Sequence, residues 1–543
     1  MVAGLLPCSP MRKPLVHALA AGLPALLVAS IVASCGGSSG GGGGFAATTA
    51  GATSGTNPGG GSGAPVATVE SLRLAGGALV TGELGLVFAL AHPNATPTDV
   101  EVAFTKDRGA TWSVATPASG SAALSGLATG PAPGVEHTFR WDTARDIPGF
   151  EPDVRVRVAI AGGGASLESG AIAVDNQAVS THVALNRWPY LQGPVAGEAL
   201  IAWRTETATD SVVEWGPTPA LGQTAGNPQA SEEEHWVNLT GLQPGTTYFY
   251  RVVSGGLPIT PRASFRTAPG PSVAAMKFVV VGDSGMGNTE QYAIARLMQA
   301  ENADFFLHTG DIVYPAGGFP LAVSEYNNRF FKPYQEMVGE LFSFPVVGNH
   351  DLYGLFGEPY KQTFAVPANQ SGLFEEMYFS FEWGDAKFVA LETNTLYQYL
   401  SFGHHVGWLQ QELTRNQRKW LIVYMHTPLY SCGKHGDNAR LQRLLEPLFE
   451  ANKVDLVLAG HDHNYERTVP IKAYNQDPAY PGLVHVITGG GGAGLRPVTP
   501  NARTAVAASV HHYVRMEIQG DDLTGEAVDI NGNVIDRFTI RNQ

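Results

Sequence analysis

Five stretches of this chain end an apolar run with oxygen- or nitrogen-bearing side chains. "FVVV" leads into Gly282 and Asp283. "DFFLHT" leads into Gly310 and Asp311, with Tyr314 three residues on. "FPVV" leads into Gly348, Asn349, His350 and Asp351. "WLIVYM" ends at His426, and "VDLVLA" leads into Gly460, His461, Asp462 and His463. Carboxylate, imidazole, carboxamide and phenol are metal-ligand types, so a histidine pair two residues apart at a strand end raises the question of what His461 and His463 hold. Each group by itself has an ordinary reading: Gly-Asp as a turn, Gly-Asn-His as a loop, a strand-end histidine as a satisfied core residue. Five in order at successive strand ends are not explained as turns. Glycine ahead of four of them lets the backbone turn sharply and approach closely.

The elements that must position these residues follow from hydrophobic spacing. From Met276, continuous apolar runs ("MKFVVVG", "DFFLHTG", "SFPVVG", "KWLIVYM", "VDLVLA", "LVHVITGG") read as strands. They alternate with helical patterns such as "NTEQYAIARLMQAEN", where Ile294, Leu297 and Met298 share a face, and "DNARLQRLLEPLFEAN". Such alternation predicts an α/β sheet, and ligands bind beyond the carboxyl ends of its strands. Two β-rich stretches come first. Residues 65–180 carry "VEVAFTKDRGATWSVAT", "HTFRWDT" and "VRVRVAIA", with the alternation of an Ig-like sandwich. Residues 181–270 carry "ALIAWRTE", "SVVEWG" and "LTGLQPGTTYFYRV" as separate strands; Tyr248 and Tyr250 alternate with Phe249, so one face packs and the other meets water. The fold class is therefore α+β and multidomain, two β-sandwich modules ahead of an α/β domain.

The motifs GDxG, GDxxY, GNH[DE], VxxH (Val423 to His426) and GHxH together resemble the calcineurin-like metallophosphoesterases, and more narrowly the purple acid phosphatases, from Met276 to about Arg541. The run "LTGLQPGTTYFYRV" resembles the fibronectin type III pattern of that family's N-terminal partner domain. The resemblance implies a four-layer α/β/β/α domain over 271–543. It implies a dinuclear hydrolase that cleaves phosphate monoesters of small molecules by attack of a metal-bound hydroxide. It makes Asp311 the shared ligand, places Asp283, Tyr314 and His463 on one ion, and Asn349, His426 and His461 on the other. Phenolate at Tyr314 suits Fe(III), while the second ion is Zn(II), Fe(II) or Mn(II). His350 is expected to face the phosphate, stabilising it or protonating the leaving alkoxide, with Asp351 (more often Glu in the family) orienting it. His435, nine residues beyond His426, is expected to be an auxiliary acid. Two other readings stand beside this one: a divalent-metal phosphodiesterase or nucleotidase on the same fold, and a surface binding protein with an inactive catalytic domain.

Other residues receive plainer readings. Asp462 should point away from its flanking histidines. Arg467 suits a phosphate or a structural ion pair equally. "GGGGAG", Gly489 to Gly494, lacks the Lys-Ser/Thr of a phosphate loop and reads as a flexible segment at the site rim. His404 and His405 should face solvent, His308 should bond locally, and His511 and His512 are structural.

The formal charge of -14 over 543 residues argues against nucleic acid as a general partner. It also requires an anionic substrate to be drawn in locally, against the global field. Arg12 and Lys13, the apolar run after them and the small residues before Cys35 form a secretory signal over 1–34. "VASC", Val32 to Cys35, resembles a bacterial lipobox, which implies cleavage before Cys35 and a lipid on its sulfur. The Gly/Ser-rich tract over 35–64 reads as a tether. The expectation is an exported bacterial lipoprotein, periplasmic or at the cell surface, held to a membrane through Cys35. Cys432 is then the only cysteine in the folded body, a packed thiol with no disulfide partner.

Overall fold

The apolar runs that read as strands are buried on both faces, because each lies in a sheet covered by a second sheet on one side and by helices on the other. The computed structural model describes residues 65–542 except 76–78, 194–196, 274, 315–322, 354–356, 368–375 and 395–401. The expected signal, Cys35 and tether lie outside the described residues, as does the side chain of His404. Among the described residues, no helix is long and apolar enough to cross a membrane.

One sheet of the C-terminal half runs, in spatial order, through Phe342–Pro345, Phe305–His308, Ala275–Val281, His512–Gln519, Asp522–Asp529 and Val534–Arg541. Its first three strands are parallel. The other sheet runs through Phe379–Trp383, Ala386–Leu391, Trp420–Met425, Leu456–Ala459, Val484–Thr488, Tyr465–Thr468 and Thr504–Ala508. Aromatic rings fill the space between the sheets: Phe344 stacks on Phe381 with centroids 3.7 Å apart, and Phe305 meets Phe388 edge-on at 5.2 Å. Such pairs add about 0.5–1.5 kcal/mol each beyond the area they bury.

Helix Thr289–Gln299 begins where the Asn288 side chain accepts the Gln291 amide, and it buries Ile294, Ala295 and Met298 against the first sheet. Helices Phe402–Thr414 and Ala439–Ala451 cover the far face of the second, where Leu409, Leu413, Leu441, Leu445 and Phe449 meet Val389, Leu421, Val423 and Val457. The layers are helix, sheet, sheet, helix.

The preceding module is continuous with this domain. Its strand Leu185–Gln192 pairs in parallel with Phe342–Pro345 through Leu191 and Phe342, extending the first sheet to twelve strands. This explains two departures from the sequence reading. "ALIAWRTE" and "SVVEWG" are one long strand, Glu198–Gly216. Tyr248, Phe249 and Tyr250 are all buried, leaving no wet face, and Tyr250 donates its hydroxyl to Gly339 O at 2.7 Å beside helix Lys332–Val338 of the C-terminal domain. Farther upstream, strands between Thr68 and Asp175 form two sheets around their own core, which includes Phe88, Trp141 and Val156.

Candidate metal centre

The strand ends meet at one edge. Val281, His308 and Pro345 close parallel strands of the first sheet, and Met425 and Ala459 close parallel strands of the second. The loops that follow are bonded across the sheets: Gly282 N donates to Thr488 O at 2.9 Å, and His426 Nδ1 meets Thr309 O at 2.8 Å. Asp283, Asp311 and His461 have left-handed backbones, with φ of 54°, 52° and 69°. Each follows a glycine, and each turns its side chain back over the edge. Non-glycine residues seldom hold this conformation without a surrounding structure that imposes it. Gly348 has no room for a side chain, since a Cβ there would lie 2.1 Å from Asp311 N and Oδ1.

Two donor clusters result. In one, Tyr314 Oη lies 3.2 Å from both Asp283 Oδ1 and His463 Nε2, and His463 Nε2 lies 3.5 Å from Asp283 Oδ1. In the other, His426 Nε2 lies 3.1 Å from Asn349 Oδ1 and 3.2 Å from His461 Nδ1. Asp311 stands between them, with Oδ1 3.4 Å from His426 Nε2 and its carboxylate also against the Tyr314 hydroxyl. One ligand atom from each of Asp283, Asp311 and His426 lies within 4.8 Å of the others.

This donor set fits metal ions. Ligands about 2.1 Å from a tetrahedral or octahedral ion sit about 3.0–3.4 Å from one another, the spacing seen in both clusters. His426 and His463 commit their Nδ1 atoms to the carbonyls of Thr309 and Gly494, which leaves Nε2 as the lone pair aimed inward, the usual outer bonding of a metal-binding histidine. The electrostatics agree. Burial and the neighbouring Asp311 push Asp283 well above the usual carboxylate range. Burial would also raise Asp311, but the His426 charge and its hydrogen bond hold Asp311 far below that range. Burial alone would depress His426, yet Asp311 and then Asp283 push it up to about 9. Burial and the His426 charge depress His461 to about 2, and burial followed by Arg496 depresses His463 to about 4. Both therefore present neutral imidazole, the ligating form. Burial and the two carboxylates push the Tyr314 phenol far up.

Residues 276–465 match the family model of the calcineurin-like phosphoesterases, and residues 189–267 match that of the purple acid phosphatase N-terminal domain. Purple acid phosphatase 21 of Arabidopsis thaliana is 31% identical over 333 residues, covering 56% of this chain and 72% of that protein. The chain belongs to the purple acid phosphatase family. Purple acid phosphatase 23 of Arabidopsis thaliana is 31% identical over 292 residues, 48% of this chain, and the match spans 62% of that relative's own length. The fold is that of a purple acid phosphatase, PPD1, isolated from yellow lupin (Lupinus luteus) seeds, with a TM-score of 0.57 at 19% identity, covering 86% of this chain and 95% of that one. Purple acid phosphatases use a dinuclear metal centre, and this chain carries a ligand group for one.

Around the family's ligand positions, several residues stand differently from the sequence reading. Asp351, expected to orient His350, makes no hydrogen bond to its Nδ1, which has no partner. Its carboxylate accepts the amides of Gly348, Ile312 and Val313 at 2.7, 3.2 and 3.2 Å, tying together the loops that carry Asn349 and Asp311. A short Asp beside these amides serves the backbone instead of the imidazole. His350 lies near the centre, with Nε2 4.0 Å from Asp311 Oδ2, while its Nδ1 is buried without a partner. Burial depresses its pKa. The His435 ring lies 4.0 Å from the His461 ring.

Asp462 does point away. It is fully buried and holds the His435 loop through Ser431 Oγ at 2.5 Å and the His435 amide. The glycine segment is packed against the first sheet's loop: Gly491 N donates to Gly282 O and Ala493 N to Asp283 O, and a Cβ on Gly491 would lie 2.5 Å from Gly282 O. His405 stacks on Tyr378 at 4.2 Å instead of facing solvent. Arg467 forms a structural pair with Asp536. Arg496 went unread. Its guanidinium contacts His435 Nε2 and donates to His461 O at 3.1 Å, but a single Arg in a Pro-bearing loop carries no sequence signal.

Proposed function

We propose that this chain hydrolyses phosphate monoesters of small molecules, using Fe(III) with a divalent ion (Zn, Fe or Mn). The observation that carries this reading is the Tyr314 phenol, 3.2 Å from Asp283 Oδ1 and from His463 Nε2, beside a separate Asn349–His426–His461 cluster. Asp283, Tyr314 and His463 would hold the ferric ion, Asn349, His426 and His461 the divalent ion, and Asp311 would serve both. When bound, such a pair supplies a nucleophile from water at moderate pH and neutralises charge on the phosphoryl oxygens.

The chain's own side chains do the remaining work. His350 delivers a proton to the leaving oxygen; its partly exposed ring lies beside the centre, with Nε2 4.0 Å from Asp311 Oδ2. His435 offers a second imidazole from the rim. Arg496, fixed between His435 and the His461 carbonyl, supplies local positive charge that draws a phosphate dianion against the net charge of -14.

The test is the full chain expressed with iron and zinc, assayed on p-nitrophenyl phosphate and bis(p-nitrophenyl) phosphate, with metal analysis and a visible spectrum. The expected result is faster monoester hydrolysis in acid, with a phenolate-to-iron band. Faster diester hydrolysis by a colourless, divalent-only protein would favour the phosphodiesterase reading. No turnover with both ions bound would leave the binding-protein reading. We also propose export and a lipid on Cys35, supported by "VASC" and the Gly-rich tract after it. Mass spectrometry of the mature N-terminus tests this.

A further inference from the structure

An imidazole that must face a phosphoryl group is ordinarily oriented by a hydrogen bond to its other nitrogen. His350 has none: its Nδ1 is buried without a partner, and the Asp351 carboxylate is occupied by the amides of Gly348, Ile312 and Val313. The His350 main chain is tied down, with its amide donating to Asp311 Oδ1 at 2.8 Å, but that bond leaves the ring free to turn. Two other rings touch it. Tyr314 lies with its centroid 4.5 Å away at an interplanar angle of 52°, and Tyr353 lies 5.1 Å away at 83°, edge to face. The Tyr353 amide donates to His350 O at 3.2 Å, closing the turn that brings the two side chains together. Tyr314 is committed to the metal cluster, so Tyr353 is the neighbour whose placement serves His350.

We propose that Tyr353 is a positioning residue that holds the His350 ring against Tyr314, doing by aromatic packing what a hydrogen bond would otherwise do. Edge-to-face packing matches the positive edge of one ring to the negative face of another and penalises rotation away from it. The contact belongs to the ring and not to the hydroxyl, so phenylalanine serves equally. Tyr353 is 47% exposed, so removing its ring leaves the core closed. This inference rests on the proposed role of His350 toward the substrate.

The experiment is a double-mutant cycle in the full chain loaded with iron and zinc, with glycerol phosphate as substrate. Tyr353→Ala should lower kcat about 2–10-fold, the worth of one aromatic pair, with KM and metal content unchanged. Tyr353→Phe should restore kcat. In a His350→Ala background, Tyr353→Ala should cost nothing more. In the zinc-loaded protein, the His350 ring-proton resonances should shift in Tyr353→Ala and stay in place in Tyr353→Phe. Equal loss in both backgrounds, or no rescue by phenylalanine, overturns the inference while leaving the role of His350 standing. A His350→Ala variant with intact kcat overturns that role and this inference with it.

Discussion

His461 and His463 are two residues apart, yet their ring nitrogens belong to different clusters: His461 Nδ1 lies 3.2 Å from His426 Nε2, and His463 Nε2 lies 3.2 Å from Tyr314 Oη. The left-handed backbone at His461, φ 69°, turns the first ring one way, and the next two residues carry the chain across to the other. The two substitutions should therefore separate. His463→Ala should shed about one metal equivalent together with the visible band, since its cluster contains the phenol. His461→Ala should shed about one equivalent and keep the colour. Metal analysis and spectra of the two variants after identical iron-replete expression check this. Loss of both ions in both variants would mean that neither ion is held without the other.

Asp351 holds the Asp311 and Asn349 loops through three amides. Asp351→Ala should weaken metal binding about 10–100-fold, the usual cost of losing a group that orients ligands. It should do so without removing a donor atom. Competition against a chelator reads the affinity directly.

The site was legible in the sequence because its ligands stand next to glycines at the ends of apolar runs, a local pattern. What the sequence concealed depends on contacts between distant segments. Asp351 looks like a partner for the adjacent His350 until the fold brings the amides of Ile312 and Val313, 39 and 38 residues away, to its carboxylate. The glycine run after Thr488 reads as a loose loop, since nothing local shows that Gly282 O and Asp283 O will receive its amides. Tyr248, Phe249 and Tyr250 alternate in type, but the sheet they join is covered on both sides, so alternation did not report exposure. In the fold, the strands were legible from their apolar runs. The joining of Leu191 to Phe342, which fuses two modules into one sheet, was not.

His350→Ala should retain both ions, because its ring nitrogens lie outside both clusters. Loss of a general acid typically costs about 10²–10⁴-fold. The fall in kcat should be near the top of that range for alkyl phosphates, whose leaving oxygens need the proton, and smaller for p-nitrophenyl phosphate. Steady-state kinetics on the two esters, alongside metal content, decide it. Equal losses would remove the acid role.

Arg467 and Asp536 latch the two sheets together. Arg467 is on Tyr465–Thr468 of the second sheet, and Asp536 is on Val534–Arg541 of the first. The guanidinium donates twice, Nε to Oδ2 at 2.6 Å and Nη2 to Oδ1 at 3.1 Å, and Tyr465 adds a third bond to Oδ2 at 2.7 Å. The Asp536 side chain is only 5% exposed and that of Arg467 17%. Arg467→Met leaves that carboxylate buried with only the Tyr465 hydroxyl and the Arg537 amide beside it, and should cost about 2–4 kcal/mol, somewhat below a fully buried pair because Arg467 retains some contact with water. The cost should depend on pH. Burial alone would raise the Asp536 pKa, but the bonds from Arg467 and Tyr465 outweigh it and hold the carboxyl below the usual aspartate range. A depressed carboxylate contributes stability that is fully present above its unfolded pKa and is lost as pH falls through the folded one. Wild type and Arg467→Met should therefore differ most above about pH 4 and converge in stronger acid. Denaturant titrations from pH 3 to 7 measure the gap. A gap that is constant with pH would show that Arg467 acts through packing, including its place over the Phe538 ring at 5.1 Å, and not through the charge of Asp536.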